Sequence, residues 1–277
     1  MVGPQIDNII NVIGPDYLIY NEGAFPRGPE TKGNPGYLVK YTLDGRRGFD
    51  YPDLVKIVEQ KRREHSGCPT QIILNTIDYQ DKPAPECYYE GCSNFAELGI
   101  TIGRGDLIFP FEADIFHLAA EADIIKEECD KLVPDSGLKT KWLDFIGTQY
   151  YLQRAPFSRK LCIRYGTEGF YRQVLLDFQN QRYEMLHYVD RITTFHYAWV
   201  RPTKYLRMRY EQLVRNSQEY WPTLDQGIQD IIKARSEPRH DIRIRKEPNG
   251  PAEAFAIYYG GPHPEEFKEH PCYLETR

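Results

Sequence analysis

The sequence predicts an α/β protein built on a mixed sheet flanked by helices, and three observations carry that expectation. Residues 37–78 read as strand, helix, strand, acid, the order of a βαβ unit with a right-handed crossover. Residues 107–114 read as a buried apolar strand that runs out into two carboxylates, Glu112 and Asp114. Between residues 142 and 190, stretches rich in Tyr, Phe and Val alternate with polar positions, as the strands of a half-exposed sheet do.

Taken in order, residues 1–35 are rich in Gly, Pro and Asn and read as loop and turns around a short strand at 17–20. The first full strand is expected at 37–42, closed by a turn over 43–48. Pro52 in a first turn, with Leu54, Ile57 and Val58 at helical spacing, predicts an amphipathic helix over 51–65 that Gly67 stops. The β-branched run 70–77 has buried-strand character and ends at Asp78. Residues 119–132 predict a helix stopped by Pro134, with His117 just before it. Strands are expected over 142–151, 160–164, 170–178 and 182–190; the tail carries a helix near 224–235 and a charged hinge over 235–246.

At 277 residues the chain can bury a full core as one large domain or two small ones. Its 41% hydrophobic content is ordinary, and no run of roughly 18 apolar residues exists to cross a bilayer. Residues 1–16 lack the basic-then-apolar order of a signal peptide, so a cytoplasmic location is expected. The six cysteines are scattered without a disulfide framework, which fits reduced thiols. Cys87 and Cys92 have the spacing of half a zinc site, but no second Cys or His pair follows at matching spacing. The net charge of -5 hides an asymmetry: acids predominate before about residue 135, whereas Arg and Lys outnumber them between Arg154 and Arg245, interleaved with tyrosines. That basic half suits an anionic donor or acceptor, nucleic acid included, and an ordinary charged surface gives the same pattern.

The acid pair is the chemical focus. Two carboxylates separated by one residue at a strand end can turn their oxygens to one side and cradle a hard divalent cation. In open α/β sheets, ligands gather at the carboxyl ends of the strands. The order of a small turn, Arg104-Gly105-Asp106, an apolar strand, Glu112-x-Asp114 and then His117 resembles the metal-binding centre of GT-A-fold glycosyltransferases of the family 2 kind. A second stretch, Thr194-Phe-His-Tyr-Ala-Trp-Val-Arg-Pro-Thr-Lys204, resembles the strand that closes the catalytic domain in one branch of those enzymes, with Ala198 where Gly is usual. A long basic helix comes after it there; here Pro202 would start that helix, with Tyr205, Met208 and Leu213 on its apolar stripe. The Gly260-Gly-Pro-His-Pro segment resembles the ending of the same branch, which places His263 in a loop near the site.

The resemblance implies a GT-A (Rossmann-like) mixed sheet over residues 1–200, with a nucleotide-sugar half at about 37–125, an acceptor half at 126–200 and a C-terminal helical extension over 201–277. It implies a nucleotide-sugar-dependent glycosyltransferase, metal-dependent and inverting, that moves a sugar from a UDP- or GDP-type donor to a hydroxyl. Glu112 and Asp114 would hold Mn2+ or Mg2+ against the donor diphosphate, with His196 completing the shell; imidazole favours Mn2+. Tyr41, Thr42 and Asp78 would meet the nucleobase and ribose, Arg104 the base or diphosphate, and Arg201 the phosphates through its guanidinium fork. His117 is either a supporting donor to the metal site or a helix-leading residue without ligand duty. The acceptor's proton needs a carboxylate; Glu184 and Asp190 are the candidates, with Asp177 and Glu168 behind them. The loop 43–48 and the segment 81–93 depart from the family pattern and leave the nucleotide open. Two alternatives remain: a DNA- or RNA-modifying glycosyltransferase acting on a hydroxylated base, and an inactive GT-A-like binding module.

Overall fold

The computed structural model describes residues 2–24, 52–78, 98–111, 114–152, 155–166, 186–200, 229, 241–245, 252–268 and 273. The chain opens on helix α1 (Val2–Val12), where loop and turns were expected. Pro4 lies in its first turn, where a missing N–H costs nothing, and Ile6, Ile9 and Ile10 recur at helical spacing and are buried. Gly14, at φ +61°, ends it by donating its N–H to the Ile9 carbonyl at 3.1 Å.

Strand β1 (Tyr17–Ala24), helix α2 (Pro52–Glu64) and strand β2 (Gln71–Asp78) form the βαβ unit. The two strands pair in parallel from Tyr17 opposite Gln71 to Ala24 opposite Asp78. The parallel partner of β2 is therefore this earlier strand; the expected one at 37–42 lies outside the described residues. Leu18, Ile72 and Val58 bury against Ile6, Ile9 and Ile10 of α1. On the rim, Asp7 takes the Lys61 ammonium at 2.5 Å and the His65 ring at 2.7 Å.

The remaining strands form an eight-stranded, mostly antiparallel sheet. They are β3 (Leu107–Ile108), β4 (Ile115–His117), β5 (Gly137–Ile146), β6 (Tyr151–Leu152), β7 (Phe157–Arg164), β8 (Leu186–Trp199), β9 (Ile242–Arg245) and β10 (Ala252–Tyr258). A 3-10 turn (Ala119–Glu121) leads into helix α3 (Ala122–Asp130), and a short helix α4 (Glu265–Lys268) lies near the C-terminus. β5 is central, antiparallel to β7 and parallel to β8; β8 is in turn antiparallel to β4. Among the described residues the molecule is thus mixed α/β with few helices, and no Rossmann-like parallel sheet is present.

Two further sequence expectations need correction. The apolar strand expected over 107–111 is only two residues long, because β3 pairs with β7 through Leu107 and Ile108 alone. His117 ends strand β4, two residues before the 3-10 turn that opens the helical stretch, in keeping with its expected place just before a helix. Part of the expected hinge is strand β9, where Ile242-Arg-Ile-Arg245 alternates with the period of two that a strand requires. β9 pairs with β10, which pairs with β6, so this part of the tail extends the sheet.

Candidate functional site

The Gly103-Arg104-Gly105-Asp106 turn forms as expected: the Gly103 N–H donates to the Asp106 carboxylate at 2.7 Å, and Gly105 adopts φ +101°. Arg104 is exposed on it. The Gly105 N–H donates to the Tyr165 carbonyl at 2.7 Å, and Arg164 Nη1 donates to the Gly105 carbonyl at 2.6 Å, so the turn is fastened to the end of β7.

Asp114 immediately precedes β4. Helix α1 fixes that strand's outer edge, and the residues responsible are polar ones on the buried side of the helix. Gln5 Nε2 donates to the Ile115 carbonyl at 3.2 Å; three residues on, Asn8 donates to the His117 carbonyl and accepts from the His117 N–H, each at 2.8 Å. Two amides on one helix face thus stand in for a neighbouring strand and satisfy an edge that would otherwise be bare. Tyr20 Oη donates to Gln5 Oε1 at 2.6 Å, which ties β1 into the same lock. On the inner side, the Tyr197 N–H donates to the Asp114 carbonyl at 2.9 Å.

Strand alternation sorts the side chains of β4, β5 and β8 onto two faces. Directly paired residues share a face, so Phe116 with Phe195, and Leu143 with Phe195, belong to one side. His196 with Ile115, Asp144 with His196, and Trp142 with Thr194 belong to the other. The second side carries the candidate site. His196 Nδ1 lies 2.8 Å from Asp144 Oδ1, and His196 Nε2 lies 3.5 Å from Asp114 Oδ1. Trp142 Nε1 donates to the same Asp144 oxygen at 2.6 Å. Its ring flanks the imidazole with centroids 5.5 Å apart, and the Arg159 guanidinium lies 4.7 Å over the indole. The side chains of His196, Asp114 and Asp144 are 12%, 11% and 9% exposed, enough to meet a small ligand while mostly withdrawn from water. Asp144 and Trp142 escape a reading of the sequence; their signal is the alternation through 142–146, which marks a strand without showing what the strand's partner would be.

No family model, curated protein or solved structure matches this chain. Two ligand atoms about 2.1 Å from one ion stand about 3.0 Å apart in octahedral and about 3.4 Å apart in tetrahedral coordination. The 3.5 Å between Asp114 Oδ1 and His196 Nε2 needs only a small inward adjustment to reach that range. Among the described residues no three His, Cys, Asp or Glu side chains form a ready metal shell. Asp114 and His196 can supply one oxygen and one nitrogen ligand and leave the other positions to water and phosphate, which suits ions of the Mg2+ type.

Of the other expected site residues, Glu112, Tyr41, Thr42, Glu184 and Arg201 lie outside the described residues, as do Asp177 and Glu168. Asp78 is the last residue of β2. Asp190 is exposed on β8, six positions before His196 and on the far side of the register shift between Val189 and Thr193. The structure does not bring it to the Asp114 and His196 pair. His263 belongs to the opposite face, where its Nδ1 is 2.8 Å from the Tyr197 hydroxyl among Phe145, Phe195 and Tyr259. Burial there pushes the ring down to about 4. His117 is fully buried against Phe111, and burial likewise pushes it down to about 4, opposed in part by the nearby Thr193 main chain. Neither of its ring nitrogens has a hydrogen-bond partner of good geometry among the described residues, so it acts as a neutral core ring.

Proposed function

We propose that the chain is a nucleotide-sugar-dependent glycosyltransferase of GT-A type, using Mn2+ or Mg2+ held by Asp114 and His196. One observation carries this reading. Two residues picked from separate sequence stretches, one as part of an acid pair and one in the second motif, meet at 3.5 Å on one face of the sheet. A divalent ion bound there would supply Lewis-acid and electrostatic stabilisation for a departing nucleoside diphosphate. Asp114 would offer a hard oxygen ligand, fixed from the main chain by Tyr197 and by the neighbouring Gln5 contact to Ile115. His196 would offer the imidazole nitrogen. Arg159, over the Trp142 ring that itself flanks His196, adds a cation to the same face of the sheet, which would favour an anionic donor. The parallel pair β1 and β2 supports the nucleotide side of the reading. Its carboxyl ends run on past Tyr20, the level at which Gln5 joins β1 to the start of β4.

The test is a thermal-shift screen of UDP, GDP and their sugars with and without Mn2+, followed by chromatography for released nucleotide. A ligand that binds only the folded chain raises Tm by mass action. The expected result is a rise that needs both the diphosphate and the ion, with slow release of nucleoside diphosphate from one sugar donor. If no diphosphate raises Tm in the presence of Mn2+, the reading is wrong. Binding without release would instead mark an inactive binding module.

A further inference from the structure

We propose that Asp144, absent from the motifs that point to the site, is the positioning residue that sets His196 as a cation ligand; the inference rests on the reading of Asp114 and His196 above. The chemistry of the donors fixes the proton. Indole N–H can only donate and an ionised carboxylate can only accept, so Asp144 Oδ1 takes one hydrogen bond from Trp142 Nε1 and requires a second donor in His196 Nδ1. A neutral imidazole that donates from Nδ1 presents a lone pair at Nε2. That nitrogen lies 3.5 Å from Asp114 Oδ1, so the lone pair it would offer a cation is aimed at the carboxylate that would share that cation. The arrangement is stiff. Asp144 and His196 are direct partners in the parallel β5 and β8 pairing, and the Trp142 ring closes one side of the imidazole. Supporting carboxylates of this kind fix the ring orientation and raise the basicity of a metal-binding histidine, and losing one weakens metal affinity by about 10- to 100-fold.

Two measurements on the full chain test this. Asp144→Asn keeps the shape but replaces the charged oxygen that takes both hydrogen bonds by a neutral amide oxygen, a weaker acceptor, so the ring loses the carboxylate that holds it and raises its basicity. Free Mn2+ measured by electron paramagnetic resonance should show one site in the unchanged chain and about 10- to 100-fold weaker binding by folded Asp144→Asn. A purely structural Asp144 would lower Tm but leave the affinity of the folded fraction alone, and equal affinity would overturn the inference while sparing the cation site. The second measurement needs no variant: long-range 15N spectra of metal-free protein labelled at histidine, at pH 8. His196 is expected with a proton on Nδ1; an Nδ1 that carries none overturns the assignment of Asp144. Should the unchanged chain bind no Mn2+, the cation reading fails by itself, and the spectrum alone decides whether Asp144 orients the ring.

Discussion

The two faces of β5 and β8 are made by alternate residues of the same strands, yet they do different work. On one, Phe145, Phe195 and Tyr197 stack on each other, with Phe116, Phe267 and His263 around them, and nearly every atom is removed from water. On the other, Trp142, Asp144, Thr194 and His196 form a hydrogen-bonded polar row. Thr140 Oγ1 and Thr194 Oγ1, 2.9 Å apart, continue that row away from the site. One strand can thus serve two ends: the aromatic face can hold the backbone in register while the polar face, on the function proposed above, keeps ionisable groups at ligand spacing.

The largest effect should come from breaking the aromatic face. Phe145→Ala deletes a ring that packs against Phe195, Tyr197, Tyr259 and His263, and should cost about 3–5 kcal/mol of stability by denaturant titration. The Mn2+ affinity of the molecules that stay folded should be unchanged. A loss of affinity that tracks the loss of stability would show that the faces are not separable.

Acid should act on the fold through buried rings on both sides. His117 and His263 titrate near 4 in the folded chain, against an ordinary value of 6.5. The unfolded chain therefore binds more protons below 6.5. Stability contributed by the neutral rings is complete above that value, declines as pH falls toward 4 and levels off below it. At pH 5 each ring should account for about 2 kcal/mol of loss. Burial pushes the Glu121 carboxyl up, so that group opposes the trend. Denaturant titrations at pH 7 and pH 5 should show the decline, and His117→Gln should remove about half of it. A stability unchanged between those two pH values would contradict the burial of both rings in neutral form.

A smaller effect isolates one polar contact inside the aromatic face. Tyr197→Phe removes the hydroxyl that meets His263 at 2.8 Å and keeps the ring stacked 3.6 Å from Phe267. The expected cost is about 1 kcal/mol by denaturant titration. A cost several times larger would mean that the hydroxyl organises the loop carrying His263 and does more than satisfy one nitrogen.

Much of this frame is legible from sequence, and the exceptions have physical causes. Pro52 and the helical spacing of Leu54 and Val58 place α2, and the β-branched run places β2, because local pattern and tertiary burial agree there. Helix α1 is missed although Ile6, Ile9 and Ile10 recur at helical spacing, because most of the Gly, Pro and Asn that mark residues 1–35 as loop lie beyond residue 13. Asn8 and Gln5 look like breakers or solvated residues in sequence, yet they are the side chains that hold the edge of β4. At the site, the motifs name Asp114 and His196 but not Asp144. A carboxylate in an alternating strand becomes informative only when the register sets it opposite His196, and register is a long-range property. Asp190 illustrates the converse: an acid in a plausible strand, on the same β8 as His196, but displaced along it.

The most direct measurement is a calorimetric titration of Mn2+ into the full chain, into His196→Ala and into Asp114→Ala. One site is expected in the unchanged chain and at least about a 100-fold loss in each variant, since each removes one of the two ligands that the described residues offer the ion. Folded variants that bind Mn2+ as tightly as the unchanged chain would contradict the ligand assignment.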